Sequence, residues 1–231
     1  MDNETNVLTF IEDKINYNFN NRDLLERAFT HKSYNPEDNN EILEFIGDKI
    51  LNAIIATHLF ENYKIDEGIL TKLTSYFVDN KSILPKVCIK HSLDEKINIS
   101  DYENNNKNSR ENWIPSLLEA LIGAVFIDCG KDWRKTEKVV LTLYGKELIL
   151  DDKKINDILI KCDPVSSLKE YCDNNGYILK VYEERVGGFD HAPEYVGYVS
   201  IDGKEYCGDV VAGKKQKARV QVCKKVLYIL R

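Results

Sequence analysis

Between positions 6 and 30 the apolar residues recur three or four apart, which predicts helix, with Asn20 or Asn21 as cap to a turn over 23–29. The segment 31–40 is polar and holds Pro36, so a loop is expected. From Glu41 to Phe60 the pattern has almost no polar face, which predicts a helix buried on most sides. A connection at 64–68 precedes helices over 70–78 and 81–90, with Pro85 expected to mark an irregularity or kink in the second. Residues 100–112 are Asn-rich and unpatterned, an expected exposed loop; 112–127 is another apolar helix, and helical periodicity returns over 133–150. The charged segment 151–162 is expected to be a linker with some helical character.

The period changes after Asp163. A short helix over 164–173 is followed by alternating strands at 178–185 and 194–201, with GGFDHAP between them as a hairpin loop. An Asp202-Gly203 turn leads to a third strand over 204–211, and a last helix begins near Gly213. The fold class expected is therefore an all-α domain over 1–150 and a small α+β domain over 163–231, in the order α-β-β-β-α. No internal repeat is present.

Two apolar helices carry acids. Glu41, Glu44 and Asp48 stand at i, i+3 and i+7, on one side of the first. Glu119 is the only ionisable residue between 112 and 127. Like charges in low dielectric cost several kcal/mol, on the order of a buried unpaired ion, unless a positive partner joins them. Ion pairing with a base is the competing explanation, and Lys49 is the only Lys or Arg in either stretch. A shared oxygen-rich site for a divalent cation, with Mg²⁺ suited to hard oxygen ligands, accounts for all four acids.

Composition narrows the classes further. The 231 residues carry a net charge of −6, which at first argues against a nucleic-acid partner. The distribution reverses that argument, because no acid follows Asp209 while Lys214, Lys215, Lys217, Arg219, Lys224, Lys225 and Arg231 do. The six cysteines show no CxxC spacing and fit reduced thiols in an intracellular protein. The first ten residues lack the basic and apolar regions of a secretory signal, and no apolar run reaches membrane-spanning length.

Asn40, Glu41, Leu43, Glu44, Phe45, Ile46, Gly47 and Asp48 resemble the signature of the ribonuclease III nucleases. The resemblance extends through Tyr17, Phe19, Leu24, Leu25, Thr30, His31 and Ser33 before it, Glu67, Gly68, Leu70, Thr71 and Leu73 after it, and 118–128 in the second acidic helix. Leu168 and Glu170, then His191, Pro193 and Tyr195, then Lys215, Lys217 and Ala218 are similar to a double-stranded RNA-binding domain. One nuclease domain plus one such domain is the bacterial-type or minimal Dicer-like arrangement.

The resemblance implies a Mg²⁺-dependent endoribonuclease, with Mn²⁺ as a substitute, that cuts double-stranded RNA as a homodimer and leaves short 3′ overhangs. It implies Glu44, Asp48 and Glu119 as metal ligands, Glu41 nearer a dimer seam around Phe45, and RNA contacts from Glu170, His191, Lys214, Lys215 and Lys217. Ser116 departs from the family pattern, which has an aspartate there, so the site lacks one carboxylate. Two readings follow: a nuclease with weakened metal affinity, or an RNA-binding scaffold that no longer cuts.

Overall fold

The computed structural model describes residues 2–230, so Arg231 of the cationic end lies outside the described residues. The chain divides into two compact units, one up to Leu150 and one from Asp151 onward. The first unit is helical: α1 (Asp2–Ile15), α2 (Arg22–Ala28), α3 (Glu41–Asn62), α4 (Glu67–Phe77), α5 (Ile83–Lys90), α6 (Asp101–Asn105), α7 (Lys107–Asp128) and α8 (Trp133–Tyr144). Side-chain caps set the starts of α2, α4 and α8. Asn21 accepts from the Asp23 N–H at 3.0 Å, Asp66 from Ile69 at 2.8 Å and Asp132 from Lys135 at 3.1 Å.

The expected loop at 100–112 is largely helix. Ser100 caps α6 and Asn106 caps α7, each side chain accepting a first-turn N–H, so the polar residues that suggested a loop begin helices instead. Pro85 makes no kink because it is the third residue of α5, where its missing N–H has no intrahelical partner to lose.

Helix α3 differs from expectation on one face. Leu43, Gly47, Leu51, Ile54, Ile55 and Leu59 are buried, but Ile42 and Phe45 are 62% and 68% exposed. Hydrophobicity says that a surface leaves water, not whether its cover comes from the same chain.

The buried face of α3 crosses α7 with the two backbones in contact. A Cβ at Gly47 would run into the Glu119 carbonyl and stand 2.9 Å from the Gly123 nitrogen; a Cβ at Gly123 would run into the Leu43 carbonyl. Only glycine on both helices permits this spacing. Around the crossing, Leu117, Leu118, Ala120, Leu121, Ile122 and Ala124 of α7 are buried.

The second unit comprises α9 (Asp152–Cys162), α10 (Pro164–Asn175), β1 (Leu179–Phe189), β2 (Ala192–Ile201), β3 (Lys204–Cys207), β4 (Val211–Ala212) and α11 (Lys215–Ile229). The segment expected as a linker is α9, and its Ile160 joins a core with Leu168, Cys172, Val199, Val222 and Val226. β1 and β2 pair antiparallel from Leu179↔Ile201 to Phe189↔Ala192, with an irregularity between Arg185 and Gly187. The expected hairpin loop is thus mostly strand, leaving Asp190 and His191 as the turn. Arg185 holds it, donating to the Gly188 carbonyl at 3.1 Å and to Asp190 Oδ1 at 3.0 Å. The expected third strand is interrupted after Cys207, and both of its pieces pair with β2.

Gly47→Ala is expected to destabilise the first unit by about 3 kcal/mol or more, because the added methyl meets backbone that cannot turn aside. Gly68→Ala, where the nearest atom is the Asp66 carboxylate at 3.4 Å, should be neutral or mildly stabilising. Urea unfolding of the two variants beside the parent measures both; equal effects would contradict the crossing.

Candidate functional site

The crossing decides where the acids stand. Glu41 and Glu44 lie in the first turn of α3, where exposed backbone N–H groups favour negative charge, and Asp48 follows Gly47 directly. Glu119 belongs to α7, and its own carbonyl is the atom pressed against Gly47. It is 4% exposed. Burial first, then the charges of Asp48 and Glu44, push its carboxyl up from 4.5 to about 8, only partly opposed by Lys49. At neutral pH, without a cation, this acid holds its proton.

The other acids are engaged with neighbours. Ser116 Oγ donates to Glu44 Oε1 at 2.8 Å, with the Asn112 carbonyl a second acceptor at 3.1 Å. Lys49 Nζ lies 2.6 Å from Asp48 Oδ2, and Asn52 Nδ2 donates to Asp48 Oδ1 at 2.9 Å. Lys32 Nζ lies 2.8 Å from Glu41 Oε1. Ion pairing with Lys49, the competing explanation for the acids, therefore holds for Asp48 but does not discharge Glu119. Among the described residues no three His, Cys, Asp or Glu side chains are close enough together to hold a metal ion. Repulsion explains the splay: Glu41, Glu44 and Asp48 each turn to a donor rather than to another anion.

Beside Glu44 and Ser116 opens a cleft of about 290 Å³, whose walls include His31, Lys32, Asn40, Glu41, Glu103 and Trp113. Burial lowers the pKa of His31, whose Nδ1 is 2.8 Å from Ser33 Oγ. Asn52 and Lys32 escaped the sequence reading. The first stands at i+4 from Asp48 and could have been found on the helix, but Lys32 reaches Glu41 from a loop and leaves no periodic signal.

In the second unit Glu170 is exposed on α10, and His191 is exposed at the β1–β2 turn, stacked on Phe189 with ring centroids 5.6 Å apart. Lys214, Lys215 and Lys217 open α11. Lys215 is partly committed within the domain, its Nζ 3.7 Å from Glu183 Oε1, while Arg219 Nε stands 2.7 Å from the other oxygen of that carboxylate. Lys214 and Lys217 are exposed.

The raised Glu119 pKa has a definite sign in stability. Between 4.5 and about 8 the folded state binds more protons than the unfolded chain, so stability present at low pH is lost as pH rises through the folded value. In EDTA the parent should lose on the order of 2–4 kcal/mol relative to Glu119→Gln from about pH 5 to about pH 8. Unfolding curves of the two proteins across that range check it, and parallel curves would refute the shift.

Known proteins match the chain along most of its length. Residues 21–148 match the family model described as Ribonuclease-III-like, and residues 164–230 match the double-stranded RNA binding motif. Ribonuclease 3 of Campylobacter jejuni subsp. jejuni serotype O:2 is 34% identical over 223 residues, 93% of each chain. Ribonuclease 3 of Sulfurovum sp. is 32% identical over 219 residues, 94% of each chain. A solved nuclease domain of ribonuclease III from Campylobacter jejuni superposes with a TM-score of 0.57 at 32% identity, covering 62% of this chain and 97% of that one. A second structure of that domain, with flexibility in the region involved in its dimer formation, gives 0.56 at 33% identity, covering 60% and 96%. A helical unit matched by the ribonuclease-III-like model, followed by a small α+β unit matched by the RNA binding motif, makes the assignment plain: the chain belongs to the ribonuclease III family.

Proposed function

We propose that the protein is a divalent-cation-dependent endoribonuclease that cleaves double-stranded RNA as a homodimer, leaving short 3′ overhangs. The observation that carries this reading is Glu119, a buried acid held beside Glu44 and Asp48 at a cost that a structural role does not explain. The donor set fits Mg²⁺ or Mn²⁺: carboxylate and hydroxyl oxygens, hard ligands, with mutual repulsion that a cation relieves. Glu44, Asp48 and Glu119 would hold it, with Ser116 contributing through water. When bound, it would supply a water nucleophile at neutral pH and stabilise charge on the leaving oxygen.

The chain's own groups do the rest. Lys49 holds Asp48 in an ion pair that metal binding would have to replace, and Ser116 fixes one oxygen of Glu44. Glu41 stands nearer the dimer seam, where the exposed Ile42 and Phe45 form an apolar face for a second copy. One such domain carries one set of acids, so two copies across a duplex account for cutting both strands. The second unit supports a duplex substrate, with Glu170 and His191 toward the sugars of the minor groove and Lys214, Lys215 and Lys217 toward phosphates.

The absent carboxylate at Ser116 favours a second reading, an RNA-binding protein that does not cut. A long perfect duplex incubated with Mg²⁺ or Mn²⁺ separates the two. The parent should cleave it, Glu119→Ala should cut at least about 100-fold more slowly, and Ser116→Asp should raise the rate at low Mg²⁺ by roughly tenfold. Binding without products at any cation concentration, with Glu119→Ala and Ser116→Asp indistinguishable from the parent, would favour the second.

A further inference from the structure

The helix that opens the second unit lies outside its motif-matched segment: residues 164–230 match the RNA binding motif, whereas α9 spans Asp152–Cys162. It is still part of that domain, because Ile158, Leu159 and Ile160 are buried and the helix packs against α10 and α11. Where α9 meets α10 there is a cavity of about 280 Å³. Buried Leu159, Ile160 and Leu227 form its floor, and exposed Asn156 of α9, with Glu170 and Asn174 of α10, forms its rim. Glu170 and Asn174 are one turn apart on one side of α10. Among the described residues these three side chains have no hydrogen-bond or ion-pair partner, so the rim is free to meet a ligand.

We propose that α9 belongs to the duplex-binding surface, with Asn156 and Asn174 extending along the minor groove the 2′-hydroxyl contact made by Glu170. The inference rests on the duplex-RNA reading of the second unit and adds to it a helix that the motif does not include. The chemistry of the lining selects the group. It holds no Lys, Arg or His, and Glu170 makes it negative, which turns phosphates away. A hydroxyl donates and accepts at once; a primary amide does both, and a carboxylate accepts. An A-form duplex displays its 2′-hydroxyls in a wide, shallow minor groove, which an exposed rim can reach without entering the helix.

Two synthetic duplexes of one sequence test this, one of RNA and one with fluorine in place of every 2′-hydroxyl, with binding measured in EDTA so that cutting plays no part. Asn156→Ala should bind the RNA duplex about fivefold more weakly than the parent, the equivalent of one hydrogen bond, and bind the fluoro duplex as the parent does. Its salt dependence should stay that of the parent, because no phosphate contact is lost. Asn175→Ala, whose amide donates to the Tyr171 carbonyl of its own helix, should match the parent on both duplexes. Both variants should melt with the parent, since neither side chain is buried.

Unchanged RNA affinity in Asn156→Ala would overturn the proposal, and so would equal losses on the two duplexes or a lowered salt dependence. If Lys214→Ala and Lys217→Ala weaken RNA binding while Asn156→Ala does not, the inference about α9 alone falls. A parent that does not bind the RNA duplex would sink the duplex-RNA reading and this inference with it.

Discussion

Everything in the first unit follows from the backbone contact between α3 and α7 at Gly47 and Gly123. With side chains there the helices would stand farther apart, and Glu119 would face a wetter gap. At contact distance its carboxyl lies in low dielectric, within reach of the charges of Asp48 and Glu44, and its pKa rises to about 8. Glycine here is a device for bringing like charges together, which folding alone would avoid. The surrounding apolar residues of α7 supply the burial that holds the arrangement.

Much of this was legible in the chain. Two apolar helices each carrying acids, and the switch from helical to alternating period after Asp163, gave the order of elements and the identity of the acids. Burial partners were harder. The all-round apolar pattern of α3 could not distinguish Leu43, covered by α7, from Phe45, which this chain leaves exposed. Local chemistry also misled at 100–112, where Ser100 and Asn106 are helix caps and not loop formers. The Arg185 bracing of the β1–β2 turn depends on side-chain geometry that no periodicity encodes.

Ser116 gives the site its individual character. A hydroxyl on the turn of α7 before Glu119 leaves Glu44 with a hydrogen bond at the position where the family resemblance implies a further carboxylate, so the cluster carries one charge fewer than that pattern. Lys49, on α3 itself, and Lys32, from the loop before it, pair with two further acids. The result is a site whose resting form is closer to neutral than its acid count suggests. The second unit shows the same economy, with Glu183 taking up Arg219 and part of Lys215 while Lys214 and Lys217 stay exposed.

The central claim is that the crossing holds Glu119 protonated at neutral pH until a cation displaces the proton. Carbon-13 NMR of the glutamate side-chain carboxyls, with Glu119→Gln to assign the resonance, reads this directly. In EDTA the Glu119 signal should titrate near 8, and saturating Mg²⁺ should move its ionisation to lower pH. A Glu119 signal that titrates near 4.5 in EDTA and ignores Mg²⁺ would contradict the account.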